Sequence, residues 1–200
     1  MKTPMLNTLL GVLTLTSAVL VTTVSHAELT SNVPDGSAYT AMPLPALQAA
    51  AKAGDMKAQF FLANRFKAGE GMPQDLSQAF DWYMKAAQKG AAPAQLNVGQ
   101  MYARGRGVAR DMVQAKIWLQ KAAKQGDNRA SYNLALLEES NQNLSDAYQW
   151  YELSARDGML DPRVKTEAQG KIRKLAANLS PEAIERARQR ADQWMQDPQQ

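Results

Sequence analysis

Residues 58–75 read AQFFLANRFKAGEGMPQD, and residues 94–111 read AQLNVGQMYARGRGVARD. The two segments are offset by 36 positions and share an Ala-Gln pair, a Gly-x-Gly and a closing aspartate. The same offset places Trp82 on Trp118 further along the chain. Self-similarity at a period of about 20–50 residues is the sequence signature of a repeat architecture. We therefore expect the middle of the chain to be an array of repeated units.

Each unit is predicted to contain two helices. In the second helix, apolar residues recur at intervals of three and four, which is the spacing of one helix face. In the first helix, the residues on one face are Ala58, Leu62 and Phe66. The predicted fold is therefore all-α, a right-handed α-solenoid of antiparallel helix pairs. The stripe of the second helix in the first unit consists of Ala79, Trp82, Tyr83, Ala86 and Ala87.

Aspartates and glycines mark the predicted helix ends. An aspartate before a helix accepts hydrogen bonds from its free backbone N–H groups. A glycine after a helix adopts the left-handed conformation that closes it. The predicted caps are the aspartates Asp55, Asp75, Asp111 and Asp127 and the glycines Gly90, Gly126 and Gly158.

The third unit is shorter than the first two. Trp150 follows Trp118 by only 32 positions, and the Gly-x-Gly loop is replaced by Glu-Glu-Ser-Asn-Gln-Asn at 138–143. We expect a tighter turn between its two helices. Leu44 to Ala53 is predicted to be the second helix of a truncated leading unit. The predicted organisation is a signal peptide at 1–27, an extended leader at 28–42 and a solenoid at 43–196, with repeats at about 55–90, 91–126 and 127–158, capping helices at 162–178 and 181–195, and a tail at 197–200.

These motifs together resemble the SEL-one-like repeat (SLR) family, a relative of the tetratricopeptide repeats. The resemblance rests on the segment from Ala58 to Asp75, its continuation through Trp82 to Gly90, and the matching second copy, and it covers about 55–195. It implies a helical scaffold, and exported members of the family are typically adaptors in bacterial envelopes. One cysteine-rich branch is associated with β-lactam binding and relies on disulfides. Because this chain has no cysteine, that activity is not carried over.

The first 27 residues are predicted to form a cleavable signal peptide. Lys2 is followed by an uncharged apolar stretch from about Leu9 to Val24, and small residues precede Glu28 at the −3 and −1 positions. The alternative is a membrane anchor, although the stretch is short and diluted by threonines. Cleavage after Ala27 places the chain in the periplasm, with secretion as the alternative. No cysteine follows the apolar stretch, so we expect no lipid attachment.

The composition argues against catalysis. The chain has no cysteine, and its one histidine, His26, would leave with the signal peptide. The mature chain then lacks the side chains of a thiol nucleophile, a His-based triad or an ordinary zinc site. We expect no enzyme activity, no catalytic residue, no metal and no cofactor. A net charge of +4, from 23 basic and 19 acidic residues, is too balanced to indicate nucleic acid.

The candidate binding residues lie on the first helices, which line the concave groove of a solenoid and form its usual binding surface. Asparagines there can hydrogen-bond an extended peptide, or they can face solvent or pair with neighbouring turns. Two basic residues beside the second loop are candidates for an acidic partner or lipid head groups, the alternative being a solvated loop. The residues are Phe61, Asn97 and Asn133 at one repeat position, Asn64 and Gln100 at another, and Arg104 and Arg106, with Arg110 nearby, at the loop.

The predicted function is a periplasmic interaction scaffold that binds another protein through the concave face of its repeats. One alternative is a regulatory or structural subunit of an envelope machine, such as a flagellar motor or polysaccharide exporter. A second is a hydrolase acting on cell-wall material or β-lactams, against which the missing histidine and cysteine argue. Membrane contact is expected to be peripheral at most. The sequence does not indicate the oligomeric state.

Overall fold

The computed structural model describes residues 36–156 and 161–196. Within these residues the chain forms helices and no strands, which confirms the all-α prediction. The helices are α1 Gly36–Ala41, α2 Leu44–Lys52, α3 Met56–Ala68, α4 Leu76–Gln88, α5 Ala92–Arg104, α6 Met112–Lys124, α7 Asn128–Ser140, α8 Leu144–Ser154, α9 Pro162–Ala176 and α10 Pro181–Gln196.

Three helix pairs form the array, namely α3 with α4, α5 with α6, and α7 with α8. Each pair also packs against the next, because α4 contacts α5 and α6 contacts α7. The first helices of the second and third units meet as well, since α5 contacts α7. The units therefore stack in sequence order, as expected for repeats that bury their apolar faces only against neighbours.

The predicted aspartate caps are confirmed. The side chain of Asp75 accepts a hydrogen bond from the backbone N–H of Gln78 at 3.0 Å, and Asp111 accepts one from Gln114 at 2.9 Å. Asp55 and Asp127 cap α3 and α7 in the same way. Each bond satisfies a donor that has no partner within its helix.

Glycines in the left-handed conformation follow the helices where the sequence predicted them. Gly90 has φ 94° and Gly126 has φ 82°. Gly158 lies outside the described residues.

The turn in the third unit is tighter, as predicted. Seven residues connect α3 to α4 and α5 to α6, whereas only 141–143 connect α7 to α8. Gln142 adopts φ 63° in this turn, which is the left-handed region that glycine usually occupies.

Alanines at fixed repeat positions form the contact surface between helices. Ala58, Ala94 and Ala130 are each fully buried, and they allow neighbouring helices to approach closely. A buried glutamine follows each of the first two alanines. Gln59 donates to the carbonyl of Ala51 and Gln95 to that of Ala87, both at 3.1 Å. These bonds fasten each first helix to the end of the preceding second helix.

The repeated tryptophans pack between the units, and each of the first two carries a lysine on its ring. Lys85 Nζ lies 3.8 Å from the ring centroid of Trp82, and Lys121 Nζ lies 4.2 Å from that of Trp118. The electron-rich face of each ring attracts the lysine ammonium group above it. The three-residue spacing places each lysine one helical turn after its tryptophan.

At the N-terminal end, the structure differs from the predicted extended leader. Residues 36–41 form the short helix α1, whereas 28–35 lie outside the described residues. The reason is packing that the sequence pattern does not reveal: Tyr39 is buried, stacks on Phe61 at 5.6 Å and donates its hydroxyl to Asp55 at 2.9 Å.

At the C-terminal end, α9 and α10 close the array, within two residues of their predicted bounds. Both pack against α8. The Trp194 ring meets Trp150 edge to face at 4.9 Å and lies 4.3 Å from Lys124 Nζ. Trp194 therefore covers the C-terminal end of the core.

Candidate functional site

The first helices α3 and α5 belong to neighbouring units, and residues of both line two recesses, which mark the seam between these units. We call the recess near the N-terminal ends of these helices the apolar cleft and the one near their C-terminal ends the basic recess. Both are formed by residues that are far apart in sequence but occupy related positions in successive repeats. Most of the predicted binding residues lie along this seam.

The apolar cleft has a volume of about 480 Å³. Its apolar lining is formed chiefly by Met56, Phe60 and Phe61 from α3 and Pro93 from α5, with Lys57 and Gln125 as its polar residues. The two phenylalanine rings meet edge to face at 5.4 Å. Gly36 approaches the Phe61 ring closely, since a Cβ at that position would lie 3.1 Å from it. The cleft therefore has rigid aromatic walls, which suit an apolar side chain.

The basic recess is smaller, about 30 Å³, and is lined by Lys67, Asn97, Gln100, Arg104 and Arg106 together with Leu76 and Met101. Lys67 Nζ donates to Asn97 Oδ1 at 2.9 Å and thereby joins α3 to α5. Burial and the charges of Arg106 and Arg104 together lower the pKa of Lys67. None of the three cations forms an ion pair with a described residue.

Arg106 reaches this recess because of the loop that follows α5. Gly107 has φ 74°, and a Cβ there would overlap the backbone carbonyl of Leu76 at the start of α4. The loop of the second unit thus rests directly on the first unit. This contact places Arg106 beside Lys67, although the two residues belong to different repeats. Arg110 is exposed and does not line the recess.

The structure separates the predicted asparagines. Asn97 belongs to the seam, but Asn133 lies one unit further on, where its Nδ2 donates to the carbonyl of Arg129 at 2.6 Å. Asn64 is occupied internally, because the buried hydroxyl of Tyr83 donates to its Oδ1 at 2.5 Å. In the second unit Leu119 replaces that tyrosine, so Gln100 receives no such bond and lines the basic recess instead.

Sequence reasoning missed Lys67, Phe60 and Pro93. Lys67 ends a helix in the first unit, and its proximity to Arg104 and Arg106 depends on stacking of two units. Phe60 and Pro93 are likewise brought together across the seam. The one available signal was the 36-residue offset itself, because residues at the start of the loop of one repeat face the end of the first helix in the preceding repeat.

The described residues contain no cluster of three or more histidine, cysteine, aspartate or glutamate side chains that could hold a metal. None of the helices in 36–156 and 161–196 is both long and apolar enough to span a membrane. What the seam offers chemically is an apolar cleft, amide groups and three cations. These groups are suited to apolar contact, hydrogen bonding and charge pairing.

Paired helices that stack in sequence order and expose such recesses on one side define a helical repeat scaffold. The Sel1 repeat model matches residues 57–90, 92–127 and 128–159, which together make up half of the chain. The chain therefore belongs to the Sel1 repeat family, as the resemblance indicated.

Two solved structures are similar to this chain. A Sel1 repeat protein from Oxalobacter formigenes is 34% identical, and the match covers 64% of this chain and 97% of that one, with a TM-score of 0.52. The protein c5321, a protective antigen of uropathogenic Escherichia coli with an SLR fold, is 23% identical. That match covers 78% of this chain and 41% of the antigen, with a TM-score of 0.55, and supports the fold alone. Among curated proteins, none matches this chain.

Proposed function

We propose that the protein is an interaction scaffold that binds a partner protein along the seam between α3 and α5. The observation that carries the proposal is the combination, along one seam, of an apolar cleft of about 480 Å³ and a recess lined by three cations that form no ion pair with a described residue. Protein interfaces combine a buried apolar anchor with polar groups that fix orientation. The Sel1 repeat architecture supports the same role, since solenoids bind along their stacked first helices.

We further propose that the scaffold works in the periplasm and has no catalytic activity of its own. The N-terminal pattern of Lys2, an apolar stretch and a small residue at Ala27 supports export. Intact mass measurement of the protein from a periplasmic fraction tests this, with Glu28 expected as the first residue. A chain that retains Met1 and sediments with membranes would contradict export by cleavage.

Photocrosslinking in living cells tests the scaffold role. A photoreactive residue replaces Asn97 on the seam, and a matched probe replaces Asp81, which is exposed on α4. We expect a discrete protein adduct from position 97 and none from position 81. Equal labelling from both positions, or no adduct from position 97, would refute binding along the seam.

A further inference from the structure

We infer that the seam binds an extended acidic peptide segment of the partner, with an apolar side chain in the apolar cleft and acidic side chains on the basic recess. This inference rests on the proposed scaffold function and gives the chemistry of its partner. It is carried by the distance between the two recesses, by their charge and by the way both are built into the fold.

The two recesses are spaced as the side chains of one short peptide. Phe60 in the cleft and Lys67 in the recess are separated by seven residues of α3, which corresponds to about 10 Å at 1.5 Å per residue. An extended peptide advances about 3.3 Å per residue. An apolar residue and an acidic residue three positions apart therefore span the distance. Asn97 of the basic recess follows Pro93 of the apolar cleft by about one helical turn, so α5 as well as α3 contributes to both recesses.

The three cations of the basic recess form no ion pair with a described residue, whereas several other basic side chains of the array do. Elsewhere, Lys116 pairs with Glu138 at 2.6 Å, and Lys171 pairs with Glu139 at 2.8 Å. Lys67 instead bonds a neutral amide oxygen, while Arg104 and Arg106 add like charge beside it. A carboxylate bound here would accept charge-assisted hydrogen bonds and relieve this repulsion.

The repeat pattern shows that this arrangement is particular to one seam. At the positions equivalent to Lys67, the second unit has Ala103 and the third has Glu139. At the positions equivalent to Arg104 and Arg106, the first unit has Ala68 and Glu70. The three cations thus meet where the first unit stacks on the second.

A peptide fits these features better than a membrane surface does. Basic clusters that hold anionic lipid contain about four to eight lysines or arginines, whereas three line this recess. The cations also lie beside Leu76 and Met101 around a small recess, where a single carboxylate group can contact them. The neighbouring cleft, with walls formed by Phe60 and Phe61, supplies an apolar anchor point.

Defined peptides test the inference with the full-length protein. The probes are the fluorescein-labelled pentapeptides Phe-Gly-Gly-Glu-Glu and Phe-Gly-Gly-Gln-Gln, both with an amidated C-terminus, measured by fluorescence anisotropy. We expect the Glu peptide to bind at least about tenfold more tightly, because charge-assisted bonds are lost with glutamine. The Arg104→Gln/Arg106→Gln variant should remove this difference. Replacement of the peptide's phenylalanine by serine should weaken binding again.

The matched control is Lys52→Gln/Arg186→Gln, which removes two exposed positive charges elsewhere, on α2 and α10. It should leave the preference for the Glu peptide intact. Equal binding of the two peptides, or loss of the preference in the control variant, would overturn the inference. So would cosedimentation with phosphatidylglycerol vesicles that depends on Arg104 and Arg106 while neither peptide binds.

The crosslink from position 97 tests the scaffold proposal independently of the peptide-binding measurements. An adduct whose yield is unchanged in Arg104→Gln/Arg106→Gln would leave the scaffold standing and overturn the acidic peptide. Absence of any adduct from the chain that carries the photoreactive residue at position 97 but has Arg104 and Arg106 intact would refute the scaffold itself.

Discussion

Replacement of Gly107 by alanine should destabilise the array much more than the same replacement at Gly71. The two glycines occupy the same repeat position and nearly the same backbone conformation, with φ 74° and 72°. Their surroundings differ. A Cβ on Gly107 would overlap the carbonyl group of Leu76 and lie 3.0 Å from the nitrogen of Ser77, whereas a Cβ on Gly71 meets nothing within 4 Å.

Comparing the two variants separates the conformational cost of a left-handed alanine from the steric cost of its Cβ. Both variants place alanine in the left-handed region, at a cost of about 1–2 kcal/mol. Gly107→Ala must also push backbone away from backbone, and overpacking of this kind adds about 1–3 kcal/mol. For a chain of this size, each kcal/mol lowers Tm by about 2–4 °C. We therefore expect Gly107→Ala to melt about 2–12 °C below Gly71→Ala.

The assay is urea and thermal unfolding of both variants and the parent, followed by far-UV circular dichroism and by tryptophan fluorescence. Two probes are needed because repeat arrays do not always unfold in one step. Gly107→Ala should also weaken binding of the Glu pentapeptide, since the displaced loop carries Arg106. Equal destabilisation in the two variants would show that the loop does not rest on Leu76, and the explanation for the position of Arg106 would fail.

Three further predictions follow from particular contacts. Replacing Asn133 by alanine should leave both Tm and partner capture unchanged, because its Nδ2 donates only to the carbonyl of Arg129 in its own helix and the residue lies one unit beyond the seam; loss of capture in a co-purification assay would contradict this. Burial alone would raise the pKa of Glu138, but its hydrogen bonds, chiefly from Lys116, leave that pKa below 4.5. The Lys116–Glu138 ion pair therefore stabilises the fold above about pH 4.5, and its contribution is lost as the pH falls through the lowered pKa. In urea unfolding, Glu138→Gln should lower the free energy of unfolding by about 1–3 kcal/mol near pH 7 and change it little near pH 3. Trp194→Ala should cost about 2–4 kcal/mol by removing the ring that covers the C-terminal core, and an unchanged urea midpoint would refute that role.

The helix pairs and their ends could be predicted from the sequence because the signals are local. Asp75 and Asp111 cap helices that begin at the next residue, and the missing Gly-x-Gly in the third unit predicts the short turn at 141–143. The 36-residue offset then requires the units to stack. These features need only the chain within one or two repeats, and the structure confirms them.

The candidate site could be predicted only in part, because it depends on contacts between units. The offset groups Asn64 with Gln100, yet the Tyr83 hydroxyl donates a hydrogen bond to Asn64 and not to Gln100. It also groups Asn97 with Asn133, which lie on different seams. Helix α1 was missed for a related reason: six residues have little helix propensity of their own, and packing of Tyr39 on Phe61 decides their conformation.

A periodic scaffold needs departures from its period in order to bind a partner in one register. Identical units would present the same surface at every seam, and a peptide could slip by one repeat. Here the loop of the second unit rests on Leu76, the loop of the third is shortened, and Lys67 becomes Ala103 at the next seam. The cations consequently converge at one seam, between α3 and α5. The residues that break the repeat should therefore determine where the partner binds, whereas those that keep it, such as Gln59 and Gln95, should determine stability.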